Sequence, residues 1–163
     1  MGKRLVIDLE LCQQCGDCGL QCGYFYRAQP TDSGVPGLRE RATFMLICRR
    51  CEAPSCVEAC TFDALERRPD GVLERHGLRC VSCGLCVQAC PFGTIRPDMV
   101  AFYLAPCDYC LNHGASVPPC VASCVHGAIE FREVDPDEPD THILDAHLAA
   151  RAQAWVKHEE KTP

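Results

Sequence analysis

Short apolar runs separated by turn residues predict several short β-strands. Residues 3–9 and 127–131 are each typical of one strand. Residues 64–75 contain two apolar runs around Asp70-Gly71, a pair that favours a tight turn, so they predict a β-hairpin. Residues 94–104 predict a second hairpin. The side chains between the cysteines of this chain are few and small, so apolar packing alone would not supply the whole core.

Three further segments differ from this pattern. Prolines and glycines in residues 27–40 indicate a loop. Residues 135–140 are an acidic, proline-broken linker. Residues 142–160 lack Gly and Pro and predict a helix that Thr141 would cap. Apolar residues repeat at helical spacing along one face of that helix: Leu144, Leu148, Ala152 and Trp155.

The composition narrows the class of protein. The chain has 163 residues, 16 cysteines and a formal net charge of −6, a cysteine density typical of disulfide scaffolds or metal proteins. The N-terminus shows no apolar signal region and no twin-arginine signal, so we expect a cytoplasmic protein with reduced thiols rather than disulfides. No apolar run approaches the length of a membrane span, so direct membrane insertion is not expected. An acidic surface also argues against nucleic-acid binding.

The cysteines form four consecutive motifs, each with three thiols and a fourth that follows after three more residues. The motifs are Cys12-x2-Cys15-x2-Cys18-x3-Cys22, Cys48-x2-Cys51-x4-Cys56-x3-Cys60, Cys80-x2-Cys83-x2-Cys86-x3-Cys90-Pro91 and Cys107-x2-Cys110-x9-Cys120-x3-Cys124. They make a fourfold internal repeat of loop, cysteines, helical turn and strand.

This spacing indicates iron–sulfur chemistry. The third motif has the run with which bacterial ferredoxins hold [4Fe-4S] clusters, and sixteen soft thiolates divide into four complete sets of four. A structural zinc module is the remote alternative, because Cys-x2-Cys pairs also build zinc sites. The sequence contains no Gly-rich nucleotide loop, catalytic triad or paired-carboxylate arrangement, so we expect a chain without catalytic residues that is not itself an enzyme.

With these motifs, residues 3–132 resemble the four-cluster polyferredoxin subunits of molybdenum and tungsten oxidoreductases, hydrogenases and formate dehydrogenases. The order of regular and widened gaps is the same. The resemblance implies that the outer two motifs pair with each other and the inner two pair with each other. The implied ligand sets are Cys12, Cys15, Cys18 and Cys124; Cys107, Cys110, Cys120 and Cys22; Cys48, Cys51, Cys56 and Cys90; and Cys80, Cys83, Cys86 and Cys60.

The resemblance also implies an architecture. The fold class would be α+β, with two ferredoxin-like 2[4Fe-4S] units, one inserted into the other, and a C-terminal helix. Residues 1–43 and 99–134 would form the outer unit and residues 44–98 the inner unit. Residues 135–163 would be the acidic linker and docking helix.

The function implied is electron transfer along four [4Fe-4S] clusters between a large catalytic subunit and an acceptor. The most similar group would be the small subunits of tungsten-dependent aldehyde oxidoreductases. Their partners are a tungstopterin subunit and a flavin subunit that reduces NAD, and stacked copies could relay electrons between these two. A subunit of a hydrogenase or formate dehydrogenase remains the alternative.

The C-terminal helix would either fold back on the ferredoxin body or pack in a groove of another subunit. A lone amphipathic helix is marginal without a surface to cover, and the acidic linker favours a separate arm. We therefore expect a docking arm anchored by Leu144, Leu148 and Trp155, through which copies of the chain could also associate.

Overall fold

A computed structural model describes residues 2–15, 19–22, 34–69, 71, 73–96, 107, 109–110 and 116–153. The strands are β1 (Arg4–Asp8), β2 (Leu65–Arg67), β3 (Leu73–Arg75), β4 (Ile129–Arg132), β5 (Thr141–Ile143) and β6 (Leu148–Arg151). The helices are α1 (Leu9–Gln14), α2 (Val35–Ile47), α3 (Ser55–Glu58), α4 (Leu85–Ala89) and α5 (Pro119–Ser123). In this part of the chain, no helix has the length and apolar character needed to span a bilayer.

A four-stranded sheet in the order β4-β1-β6-β5 forms the larger of the two sheets. β1 is antiparallel to β4 and parallel to β6, and β5 is antiparallel to β6. Leu5 and Ile7 pack in the main apolar core, while Val6 packs with Val134 and Ala149 in a separate cluster. Both faces of β1 are therefore covered. The strands predicted over 3–9 and 127–131 are confirmed as β1 and β4.

The helix α2 replaces part of the loop expected over 27–40, because a proline in the first turn of a helix already has the backbone angle that a helix needs. Residues 27–33 lie outside the described residues. Leu38 and Met45 pack in the main core, whereas Phe44 packs against Ile95 in a second core. At 1.5 Å per residue, α2 is about 20 Å long, and it joins the two cores. The helix α2 also runs through the boundary predicted between residues 43 and 44. The division into an outer and an inner unit at that boundary stays a prediction.

The hairpin predicted over 64–75 is confirmed as β2 and β3, with Leu65 opposite Arg75 and Arg67 opposite Leu73. Gly71 has φ +80° in the turn, a conformation that a glycine adopts without strain. Residues 94–96, the first arm of the second predicted hairpin, do not form a strand, so this part of the prediction is wrong. The second arm lies outside the described residues.

The sequence repeat has a counterpart in the backbone. The third residue after a trailing cysteine has a left-handed conformation in three of the motifs: Asp63 (φ 48°), Gly93 (φ 63°) and Gly127 (φ 64°). In each case its N–H donates to the carbonyl oxygen of that cysteine, at 3.3, 3.2 and 3.2 Å respectively. The same tight turn therefore redirects the chain after Cys60, Cys90 and Cys124.

The C-terminal helix and docking arm are wrong over residues 141–151. This segment forms β5 and β6, and β6 adds to β1 on the side opposite β4. Leu144 is 7% exposed and Leu148 is 0% exposed, so both are buried in this chain's own core and are not available as docking anchors. Trp155 lies outside the described residues. Backbone pairing with a distant strand has overridden the local helical pattern.

The acidic linker is also fixed to the body. The Arg132 guanidinium donates to both carboxylate oxygens of Glu138, at 2.6 and 2.7 Å, and the Thr141 hydroxyl donates to the same carboxylate. These hydrogen bonds to Arg132 lower the pKa of Glu138. The negative charge that suggested a separate arm instead holds residues 135–140 against β4.

Candidate metal centres

One group of cysteines lines an open cavity in the inner region, which we name the Cys48 site: Cys48, Cys51, Cys56 and Cys90. The cavity measures about 400 Å³, including solvent space at its mouth. Cys48 directly follows α2, Cys56 lies on α3 and Cys90 directly follows α4. Three separate helices thus bring these four thiols together.

A second cavity, of about 380 Å³, contains the Cys80 site: Cys60, Cys80, Cys83 and Cys86. Cys60 follows α3 and Cys86 lies on α4, so the two inner sites exchange their trailing cysteines across the pair of short helices. Cys83 is exposed, whereas its counterpart Cys51 in the Cys48 site is half-buried. The Cys80 site is therefore the more open of the two to water.

The Cys12 site lies beside the larger sheet. Its cavity, of about 470 Å³, is lined by Cys12, Cys15 and Cys124. Cys12 is buried on α1, and Cys124 directly follows α5. The Asp8 side chain accepts a hydrogen bond from the backbone N–H of Leu11 and so caps α1. Cys18, the remaining predicted member, lies outside the described residues.

The Cys107 site groups Cys22, Cys107, Cys110 and Cys120. Burial raises the pKa of the Cys107 thiol to about 12 and that of Cys120 to about 11, and repulsion among neighbouring thiolates adds to the shift. The N–H of Gly34 donates to the Cys22 sulfur at 3.2 Å. A side chain at Gly34 would meet Cys22 and Cys107 at 3.5 and 3.7 Å, so the start of α2 lies against this site.

Hydrogen-bond donors reach the sulfur atoms of the inner sites. The N–H of Ala64 lies 3.3 Å from the Cys60 sulfur, and the Thr94 hydroxyl lies 3.3 Å from the Cys90 sulfur. The Arg75 guanidinium donates to the Cys80 sulfur at 3.5 Å. Burial alone would raise the pKa of Cys90, but hydrogen bonds from Thr94 and its neighbours lower it.

The donor sets fit an iron–sulfur cofactor. The thiols line the walls of cavities, and no group of three or more His, Cys, Asp or Glu side chains among the described residues is placed to hold a single metal ion. Four soft sulfur donors around a cavity, with N–H groups directed at sulfur, suit a cubane cluster. Burial raises the pKa of Cys56 and of Cys86, so iron binding at these sites would displace protons from the thiols.

No pattern in the sequence indicates the acidic group that links the C-terminal segment to the Cys107 site. The Asp145 side chain, 6% exposed, accepts hydrogen bonds from the backbone N–H groups of His147 and Leu148. It also accepts from Arg41 at 3.4 Å and from the Tyr109 hydroxyl at 3.1 Å. Burial raises the pKa of Tyr109, which keeps this donor protonated. Because Tyr109 directly precedes Cys110, Asp145 holds a cysteine loop against the β5–β6 turn.

Two arginines of the inner hairpin also lie at the cysteine sites. Arg67 lines the Cys48 site and Arg75 lines the Cys80 site. A signal was present in the sequence, since the tripeptide Leu-Glu-Arg occurs at the same position in both predicted strands. Only the structure assigns each arginine to a different site.

Comparisons with known proteins agree with this chemistry. Residues 40–134 match the family model of the 4Fe-4S dicluster domain. The chain is 30% identical to a tetrathionate reductase subunit of Salmonella typhimurium over 90% of this chain and 64% of that protein. It is 29% identical to a sulfite dehydrogenase subunit of Allochromatium vinosum, over 82% of this chain and 70% of that protein.

A third relative is an uncharacterized ferredoxin of Methanocaldococcus jannaschii. It is 32% identical over 78% of each chain. The chain thus spans just under two thirds of the tetrathionate reductase subunit and over three quarters of this ferredoxin.

Proposed function

This chain belongs to the 4Fe-4S dicluster family, and on that basis we propose that it is the iron–sulfur electron-transfer subunit of an oxidoreductase complex. The observation that carries the proposal is the grouping of the described cysteines into four sites. A bound [4Fe-4S] cluster supplies a centre that accepts and releases one electron at a time. Every described cysteine then has a role as a ligand.

The proposed ligands are the four cysteines of the Cys48, Cys80 and Cys107 sites, and the Cys12 site completed by Cys18. At these sites the protein's residues group the sulfur donors and limit the access of water. Ala64, Thr94 and Gly34 direct N–H or O–H groups at sulfur, and such bonds stabilise the negative charge that each added electron brings.

We propose further that the inner unit is inserted in the outer one. In support, β1 pairs with β4 from the far side of the inner region, while β2 and β3 pair with each other. The start of α2 lies at the Cys107 site, and its last residue precedes Cys48. The Cys107 and Cys48 sites would therefore be the middle of a relay, with the Cys12 and Cys80 sites at its ends.

We propose two candidates for the catalytic partner. The names of the relatives favour an oxidoreductase of sulfur oxyanions such as tetrathionate or sulfite. The second candidate, which comes from the resemblance of residues 3–132 to polyferredoxin subunits, is a tungsten-dependent aldehyde oxidoreductase, with a flavin subunit that reduces NAD as acceptor and stacked copies of this chain between them. A cytoplasmic location belongs to the proposal, because a reducing compartment keeps sixteen thiols available for iron.

Metal analysis after anaerobic purification tests the cofactor. We expect a brown protein with about sixteen irons and as many sulfides per chain. Cys120→Ala should remove about four irons, whereas Ser116→Ala, an exposed position, should remove none. Stoichiometric zinc without visible absorbance would refute the proposal.

Isolation of the intact complex tests the partner. The protein would be purified from its native source without dissociation, and the co-eluting large subunit would be identified together with its metal. Reduction of tetrathionate or oxidation of sulfite supports the first partner, and oxidation of aldehydes by a tungsten subunit supports the second. A chain that elutes alone, with no large subunit, would contradict both.

A further inference from the structure

The two strands of the inner hairpin end in equivalent arginines. β2 is Leu65-Glu66-Arg67 and β3 is Leu73-Glu74-Arg75, and the antiparallel register places the two arginines at opposite ends of the hairpin. Each end faces one inner site, the Cys48 site for Arg67 and the Cys80 site for Arg75. The same residue is thus presented once to each site.

The two guanidinium groups nevertheless bind different partners. Arg67 donates to backbone carbonyl oxygens of the Cys48 loop: Arg50 at 3.0 Å, Glu52 at 3.2 Å, and Cys51. Arg75 donates to the sulfur of Cys80 at 3.5 Å. A guanidinium stays charged at any working pH. One arginine therefore fixes a loop, whereas the other directs its charge at a ligand atom.

This difference acts on the energy of an added electron. A charge-assisted hydrogen bond is roughly twice as strong as a neutral one, and hydrogen bonds to sulfur favour the reduced, more negative state. Both inner sites have a neutral donor at the trailing cysteine, the Ala64 N–H at Cys60 and the Thr94 hydroxyl at Cys90. In the Cys48 site, carbonyl dipoles offset the charge of Arg67. Because Cys83 is exposed, water reaches the Cys80 site, and this polar surrounding also favours the reduced state.

From these contacts we propose that Arg75 raises the reduction potential of the Cys80 site above that of the Cys48 site and so makes the Cys80 site the electron-accepting end of the inner pair. The step is a one-electron transfer within the protein. The Cys48 site is oxidised, the Cys80 site is reduced, and no bond to the protein forms or breaks. This inference rests on the proposed function, since both sites must hold clusters.

The test is an anaerobic redox titration of the cluster-loaded protein, followed by electron paramagnetic resonance. Arg75→Gln should lower one cluster potential so that its reduced-to-oxidised ratio at a fixed potential falls about tenfold, which is 59 mV for one electron. Arg75→Lys keeps the charge and should keep most of the potential. Arg67→Gln is the matched control, and it should move its own signal by less.

The affected signal is assigned with Cys83→Ser, which changes a ligand of the Cys80 site alone. The inference is overturned if Arg75→Gln leaves every potential in place, if the shifted signal is not the one that Cys83→Ser alters, or if Arg67→Gln gives an equal shift. If the Arg75→Gln protein does not load the cluster of the Cys80 site, Arg75→Lys is the deciding variant. Because lysine keeps the positive charge, a full tenfold fall in the reduced-to-oxidised ratio of Arg75→Lys would also overturn the inference. Failure of the proposed function looks different, because the unaltered protein would then contain no iron.

Discussion

The region around the four-stranded sheet and the inner region of β2, β3, α3 and α4 are held together by different means. The first buries Leu5, Ile7, Leu38, Ile129 and Leu148 almost completely. In the second, α3 and α4 contain no buried residue, and the described core is little more than Phe44 against Ile95. Apolar burial stabilises the sheet region, whereas the inner region is packed around two cysteine-lined cavities. We infer that the inner region depends on its metal for folding.

The largest effect expected from this comparison follows iron removal. Because metal binding and folding are coupled where ligands replace a core, chelation should unfold residues 48–96 and leave the sheet formed. Hydrogen–deuterium exchange measured by mass spectrometry would show loss of protection in α3 and α4 and its retention in β1 and β6. Equal loss in both regions would contradict the division.

A cavity in the sheet region should have the next largest effect. Leu148→Ala removes a fully buried side chain from β6 and should lower the free energy of unfolding by about 2–5 kcal/mol. Leu78→Ala, in the inner region at 106% exposure, should change it by no more than about 0.5 kcal/mol. Thermal unfolding followed by far-UV circular dichroism of the cluster-loaded variants compares the two. Similar unfolding midpoints would show that the sheet core contributes little.

The contact between Asp145 and the Cys107 loop should have an intermediate effect. Asp145→Ala leaves the Tyr109 hydroxyl, Arg41 and two backbone N–H groups without this acceptor, which should cost about 2 kcal/mol. Asp137→Ala, at an exposed position, is the control. We expect Asp145→Ala also to loosen the Cys107 site, so iron release to a chelator should quicken for one cluster. If Asp145→Ala lowers the free energy of unfolding but leaves the rate of iron release unchanged, Asp145 stabilises the sheet and not the Cys107 site.

The smallest effect concerns the repeated turn, which occurs in both regions. Gly93→Ala in the inner region and Gly127→Ala beside the sheet both force a left-handed conformation, and no neighbouring atom lies within 4 Å of either new Cβ. Each should cost about 1 kcal/mol, or about 2–4 °C in the unfolding temperature. Gly77→Ala, without a left-handed backbone or a close neighbour, serves as the control. Unequal costs would show that the two turns differ in more than local strain.

Local patterns in the sequence predicted the inner hairpin and the strands β1 and β4. Asp70-Gly71 between two apolar runs is a short-range signal, and the cysteine spacings are equally local. The assignment of cysteines to clusters followed from the resemblance and stays a prediction. The structure gathers the described cysteines into four groups that match those sets.

Long-range contacts explain what the sequence did not predict. Leu144 and Leu148 repeat at helical spacing, and Ala149 and Ala150 favour helices, yet pairing with β1 makes β6 a strand. Pro36 and Gly37 suggested a loop, but a proline in the first turn begins α2 instead. Nothing local to Asp145 indicates the Tyr109 hydroxyl that it reaches 36 residues away.

The position of β6 affects how the cysteine-bearing part can be handled in isolation. The family match ends at residue 134, before β5 and β6 begin. A protein that ended at residue 134 would leave the β6 side of β1 as a bare edge, with Leu5 and Ile7 beside unpaired backbone groups. Such edges template aggregation and fibre-like pairing between molecules. In the whole chain the edge strand on this side is β5, which is short and contains the polar residues Thr141 and His142. Such an edge is much less prone to pair with another molecule.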